Sequence, residues 1–176
     1  VKGVEAVTVS GYYPGVIGKV IEVHALYYHR HWEFDRSFEI QVGRELADFM
    51  AHFDETRDGF WAARAGDVFT GCIAVDGRLR ETQGARIRWF IVDPAFHGNG
   101  LGRLLLRKAV AFCTPEKGIR RIFLWTFRGL DAAKRLYEQE GFRLVEEQEI
   151  RHWGATIQDQ KYERAVSPDP TGCTPG

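Results

Sequence analysis

Arg88-Trp-Phe-Ile-Val-Asp-Pro-Ala-Phe-His-Gly-Asn-Gly-Leu-Gly-Arg103 is the stretch from which the rest of the chain can be read. Ile87 to Val92 form a buried strand pattern, Pro94 marks a turn, and Gly98, Gly100 and Gly102 follow at alternate positions. A helix begins at once, with Leu101, Leu104, Leu105, Ala109 and Phe112 as its apolar positions, and stops before Pro115. Glycines let the chain turn tightly and bring bare backbone close to a ligand. The helix start behind them offers unpaired N–H groups and a positive dipole end, which suit a phosphate. An ordinary glycine-rich strand-to-helix turn has the same look. Two familiar phosphate loops are excluded by spacing. A dinucleotide fingerprint needs Gly-x-Gly-x-x-Gly, and here the third glycine comes one residue early; a P-loop ends in Gly-Lys-Ser/Thr, where this chain has Gly102-Arg103-Leu104.

Outward from this stretch, the elements come in mixed order. A short strand near Val7 to Ser10 precedes a helix over Val16 to Trp32, patterned by Val16, Val20, Val23 and Tyr27. Asp35 or Ser37 can cap a second helix with Phe38, Val42, Leu46, Phe49 and Phe53 on one face. Phe60 to Ala65 and Val68 to Val75 form a hairpin about Gly66-Asp67. After the glycine turn and its helix come a strand (Ile122 to Phe127), a helix (Asp131 to Glu140, with Gly141 just past its end) and a final pair, Phe142 to Ile150 and Ile157 to Arg164. This order describes an α+β fold: a mixed, mostly antiparallel sheet with a central parallel strand pair, flanked by helices. The glycine turn lies at the carboxyl end of that pair, where ligands of such sheets collect.

Composition narrows the classes. With 176 residues the chain suits one domain, residues 1–165, followed by a flexible Pro- and Gly-rich tail over 166–176. Lys+Arg and Asp+Glu are equal at 24 each and interspersed, which gives no electrostatic case for nucleic acid. Three scattered cysteines (Cys72, Cys113, Cys173) point to a reducing compartment, with Cys72 and Cys113 as core thiols. No apolar run has the length of a membrane span, and Val1-Lys-Gly-Val-Glu does not read as a signal peptide, so a cytoplasmic location without membrane contact is expected. His24, His29 and His31 lack a Cys or carboxylate at a recognised ligand spacing, so no metal is expected.

Val92-Asp-Pro-Ala-Phe-His-Gly-Asn-Gly-Leu-Gly102 resembles the acetyl-CoA loop of GNAT-type N-acetyltransferases, Val-x-Pro-x-x-Gln/Arg-Gly-x-Gly-x-Gly. Leu130-Asp-Ala-Ala-Lys-Arg-Leu-Tyr-Glu-Gln-Glu-Gly-Phe142 resembles that family's second signature, Asn-x-x-Ala-x-x-Leu-Tyr-x-x-x-Gly-Phe. More narrowly, Tyr27-Tyr28-x-x-His31-Trp32, Leu124-Trp-Thr-Phe127 and His152-Trp-Gly154 are similar to the acetyltransferase half of MarR-type regulator fusions.

The resemblance implies an N-acetyltransferase that moves an acetyl group from acetyl-CoA directly to a primary amine, on a small molecule or a protein, with no enzyme nucleophile. It implies that the strand Phe90, Ile91, Val92 pairs with the pantetheine arm. The Phe90 N–H would sit by the acetyl carbonyl as an oxyanion donor. The backbone of His97, Gly98, Asn99, Gly100, Leu101, Gly102 and Arg103 would hold the pyrophosphate. The Arg103 side chain either joins that contact or is solvated. Leu130 and Ala133 fall at cofactor-contacting positions of the second signature. Tyr137 falls where a tyrosine protonates the departing CoA thiolate; an aromatic filling the cleft is its other reading. Trp89 and Ile91 point away from Phe90 and Val92, into the core. Homodimers are common in the family.

Three positions depart from the pattern. His97 replaces the usual Gln or Arg, Leu130 stands where an Asn often touches the cofactor, and Arg86 occupies the strand position at which many members carry a Glu general base. A guanidinium cannot accept the amine's proton. The resemblance makes His24, Tyr27, Tyr28, His31 and Trp32 a wall of the acceptor site; the same residues also suit an amphipathic helix with its aromatics packed inward. Glu33 and Glu39 are further proton acceptors near the expected cleft, each equally readable as a solvated carboxylate. Two functions stand side by side: an active N-acetyltransferase, and an acetyl-CoA-binding regulatory module with little or no turnover.

Overall fold

The computed structural model describes residues 6–167. Its elements are β1 (Val7–Ser10), α1 (Val16–Trp32), α2 (Arg36–Ala51), β2 (Gly59–Ala65), β3 (Val68–Asp76), β4 (Ala85–Val92), α3 (Leu101–Phe112), β5 (Arg121–Phe127), α4 (Asp131–Gln139), β6 (Arg143–His152) and β7 (Ala155–Ala165). The strands make one sheet in the order β1-β2-β3-β4-β5-β7-β6. Among the described residues only β4 and β5 run parallel, joined through α3, so the expected α+β architecture with its central parallel pair is present. Asp35 caps α2, its carboxylate accepting from the Ser37 N–H at 2.9 Å. Among the described residues no helix is long and apolar enough to cross a membrane.

Two apolar clusters cover the two faces of the sheet. On one, α1, α2 and the turn between them pack Val20, Phe34, Phe38 and Leu46 against Trp89, Ile91 and Phe127. On the other, α3 and α4 pack Leu105, Leu106 and Tyr137 against Ile87, Ile122 and Leu124. Three apolar stripes differ from their sequence patterns. Helix α1 buries Val16, Val20 and His24, with Val23 and Tyr27 on the shoulder. A histidine is tolerated on that line because its ring bonds the Val20 carbonyl one turn back (Nδ1···O 2.7 Å). In α3 the stripe is completed by Leu106, while Leu104 is 51% exposed. At about 100° per residue, positions 101, 105 and 109 mark one arc and 104 and 106 flank it on opposite sides, so packing decides which of the two is buried. Phe53 lies past the end of α2 and is 39% exposed.

Strand β4 changes face partway along. In the β3–β4 ladder Ala74 pairs Arg88 and Cys72 pairs Ile91, so β4 carries one extra residue there: a β-bulge. Trp89, within it, has φ +45°, a backbone setting that costs a bulky residue on the order of 1–3 kcal/mol. Without the bulge, Ile87 and Trp89 would share a face. Instead Ile87 lies in the α3/α4 cluster and Trp89 in the α1/α2 cluster. Arg88 and Trp89 consequently stand side by side, the guanidinium 4.2 Å from the indole centroid.

Cys72 and Cys113 are free and buried. Burial pushes both thiols up, Cys113 to about 12 against the pull of Arg164 and Lys117, which keeps them inert. Of the tail expected over 166–176, residues from 168 on lie outside the described residues; the Val166 N–H bonds the Arg120 carbonyl at 3.0 Å.

Candidate active site

The central strands part company early. Beyond Ala85↔Ile122 and Arg86↔Phe123, β4 and β5 make no further ladder pairs, and a seam opens toward their carboxyl ends. The Asp93 N–H bonds the Thr70 carbonyl of β3 (2.9 Å). Backbone groups alternate along a strand, so those of Val92, and of Phe90 two residues earlier, face the seam. Phe90 and Val92 side chains pack on the α3/α4 side and Trp89 and Ile91 on the other, as the alternation predicts.

Above the seam the chain turns through Gly98 (φ +80°) and Gly100 (φ +79°). A Cβ at either would meet nothing within 4 Å, so the positive φ, not crowding, asks for glycine there. Gly102 answers to packing: a Cβ would lie 3.1 Å from Leu136 of α4. No side chain caps α3. Its first backbone bond, from the Leu104 N–H to the Gly100 carbonyl (3.0 Å), leaves the amides of Leu101, Gly102 and Arg103 outside the helical ladder. The exposed Asn99 lies within this turn. His97 does not sit with these amides; its Nε2 meets the Val92 carbonyl at 2.8 Å, on the seam. Arg103 donates from Nη2 to Gln139 of α4 (2.9 Å).

Tyr137 reaches the seam from the α3/α4 side. It is the one buried residue of α4, with ring centroids 6.1 Å from Phe90 and 5.9 Å from Tyr162. Burial raises its phenol above the usual tyrosine range, with Tyr28 and Tyr162 adding to the shift, so it is a protonated donor at neutral pH. Ala133 packs in the same cluster, and Leu130, at the start of α4, packs in the opposite one.

From the α1/α2 side come Tyr28 and Trp32, both against Phe127 of β5 (5.7 and 4.8 Å between centroids). The Trp32 indole lies over Gly129, where a Cβ would be 2.2 Å from it. Burial raises the Tyr28 phenol as well. Tyr27 and His31 pair with each other (4.7 Å) farther along the helix surface. The turn between β6 and β7 folds over this wall: Trp153 contacts Phe34 and Phe38 and donates from Nε1 to Gln41 (2.9 Å).

His24 is buried below Tyr28, and burial lowers its pKa to about 4 against the Val20 bond, which raises it. The ring is neutral in the fold, whereas the unfolded chain protonates it near 6.5. Its stabilising contribution is complete above pH 6.5 and is lost as pH falls toward 4, by up to about 3 kcal/mol. Urea unfolding at pH 7 and pH 4.5 is expected to show this drop, and His24→Gln to flatten it. An equally steep drop in the variant would reassign the effect.

Around Arg86 lies a charged floor that its position alone did not announce. Arg88 pairs with Glu45 of α2 and with Asp76 (3.4 Å); Arg78 pairs with Asp76 and Asp48, each at 2.7 Å. Arg86 has no hydrogen bond or ion pair among the described residues, and its buried Nε has no partner. Burial lowers its pKa, with the Arg88 guanidinium adding to the effect. Asp159 of β7 sits on the same face, opposite Phe127 in register. Burial raises its carboxyl above the usual aspartate range, against the pull of Arg86. Glu33 and Glu39, the carboxylates singled out from sequence, are exposed. The alternate arginines of Arg86-x-Arg88 were the available signal for this floor; Asp159 had none.

A sheet opened at its one parallel seam, with a bare helix start above it and a tyrosine buried beside it, defines an acyltransferase architecture. Residues 23–142 match the model of the acetyltransferase (GNAT) family, and the chain belongs to that family. Among its curated relatives, an uncharacterised N-acetyltransferase of Methanocaldococcus jannaschii is 26% identical over 134 residues, covering 73% of this chain and 57% of that protein. N-acetylaspartate synthetase of Danio rerio is 28% identical over 126 residues, covering 71% of this chain and 44% of that protein. The chain thus spans about half the length of these relatives. Among solved structures, an acetyltransferase of Salmonella typhimurium bound to acetyl-CoA superposes with a TM-score of 0.73 at 17% identity, covering 97% of this chain and 98% of that one.

Proposed function

We propose that residues 1–165 form one acetyl-CoA-binding domain that acetylates a primary amine by direct transfer. The observation that carries this is the seam: backbone of Phe90 and Val92 outside the β4–β5 ladder lies below the uncapped start of α3. The pantetheine arm would pair with that backbone once the His97 ring leaves the Val92 carbonyl. The amides from Gly98 to Arg103 would take the pyrophosphate, with Ala133 and Leu130 flanking the cofactor. The acetyl carbonyl would rest on the Phe90 N–H.

The acceptor would enter from the opposite face, beside Tyr28 and Trp32, with Tyr27 and His31 lining its approach and the buried His24 supporting Tyr28 from below. Asp159 is the proton acceptor in this reading. Counting up from Arg86↔Phe123 and allowing for the bulge, Phe90 comes level with Thr126, one residue from the Phe127 that pairs Asp159. The amine nitrogen bonds the acetyl carbon and gives its proton to Asp159, directly or through a water. The C–S bond breaks and the CoA thiolate takes the Tyr137 proton.

The test is a thermal-shift titration with acetyl-CoA and CoA, followed by thiol release across an amine panel. Stabilisation with thiol release from some amine is expected. Arg86 at the position of the family's usual base favours a second reading, a regulatory module that binds acetyl-CoA without turnover, akin to the acetyltransferase half of MarR-type fusions. Stabilisation without thiol release from any amine would establish it, and no stabilisation would reject both. The reading also includes a cytoplasmic location, supported by the free Cys72 and Cys113, no nucleic-acid or membrane partner, and a homodimer, which light scattering checks.

A further inference from the structure

We infer that Arg86 is an anion-binding residue of the acceptor site, and that the acceptor is a primary amine that also carries a carboxylate. This rests on the acetyltransferase reading and adds the acceptor's class to it.

The charge arrangement carries the inference. Arg86 is half-buried, and among the described residues its buried Nε has no partner, so part of the guanidinium is desolvated without a hydrogen bond to offset it. Nearby carboxylates exist, yet Glu45, Asp48 and Asp76 already bond Arg78 and Arg88. Those two arginines therefore serve the protein's own ion pairs, and Arg86 is left with unused donors. It lines a cavity of about 380 Å³ together with Asp76, Gln83, Arg88, Phe123 and Trp125. The planar fork of a guanidinium suits bidentate bonding to a carboxylate.

Position explains why such a group would help transfer. Arg86 precedes Phe90 on β4, and the bulge takes up one of the intervening residues. Three residues of rise at ~3.3 Å each place Arg86 roughly 10 Å below the Phe90 N–H. Arg86 and Asp159 also feel each other electrostatically on this face. An acceptor anchored by its carboxylate at Arg86 would thus carry its amine toward Asp159 and the seam. The aromatic floor at Phe123 and Trp125 suits the apolar stem between the two groups.

The test uses matched amines: amino acids and ω-amino acids, each beside its carboxamide, with aminoalkyl phosphates as a third arm. Binding is read by calorimetry in the presence of CoA, which needs no turnover. Carboxylate members are expected to bind about tenfold tighter or more than their amides. Arg86→Gln should erase that difference, and Arg86→Lys should restore part of it. In thiol-release assays the effect should fall on KM more than on kcat. Equal binding of acid and amide by the unaltered protein, binding by no member, or a preference for phosphates would overturn the inference. Because acetyl-CoA stabilisation is measured separately, failure here is distinct from failure of the acetyltransferase reading.

Discussion

Tyr137→Phe is expected to lower kcat by about 10²-fold or more while leaving acetyl-CoA affinity nearly unchanged. The substitution removes one oxygen from a buried ring held by Phe90, Phe142 and Tyr162, so the packing that shapes the seam persists. What is lost is a proton donor whose burial keeps it protonated. The leaving thiolate then has to find its proton from solvent, and the loss should be confined to the transition state. Stopped-flow thiol release and a thermal-shift titration on the same preparation separate the two quantities. Equal turnover in the variant would return Tyr137 to a packing role.

The second large effect belongs to Asp159→Asn. Removing the proposed proton acceptor should reduce kcat/KM by about 10²-fold at neutral pH. In the unaltered enzyme activity should climb with pH as the Asp159 carboxyl, raised by burial, ionises. Arg86 and His152 pull that value down and Glu146 pushes it up, so the limb belongs to a coupled group. The climb should vanish in Asp159→Asn and return in part in Asp159→Glu. Stability gives an independent readout. A carboxyl raised in the fold destabilises the native state once it ionises, so the asparagine variant should be no less stable at pH 7. A variant that loses both activity and folding would mark Asp159 as structural.

Much of this molecule can be read from its sequence, for identifiable reasons. The glycine turn, the strand before it and the Leu-Tyr…Gly-Phe segment are local in the chain, and local patterns fix local structure. The hairpin about Gly66-Asp67 and the element boundaries near Val16 and Trp32 follow for the same reason. The stripes were less readable: Leu104 and Leu106 are chemically alike, and only the depth of packing under α3 separates them. The charged floor is hardest. Glu45, Asp76 and Asp159 lie on three different elements, and nothing near Asp159 in sequence marks it as a neighbour of Arg86. Strand alternation puts Trp89 in the core, but by itself it carries no sign that Trp89 and Ile87 face opposite sides.

The opposed faces of Ile87 and Trp89 bear on how the protein can diversify. The bulge at Trp89 hands the carboxyl half of β4 to two separate sets of neighbours. Tyr28, Trp32 and Phe127 belong to one, Phe90, Val92 and Tyr137 to the other. Substitutions in α1, α2 or the β6–β7 turn can therefore reshape one pocket without disturbing the packing behind the other. On the proposed acetyltransferase reading, a lineage could exchange acceptors by drift on a single face while the donor side is inherited intact.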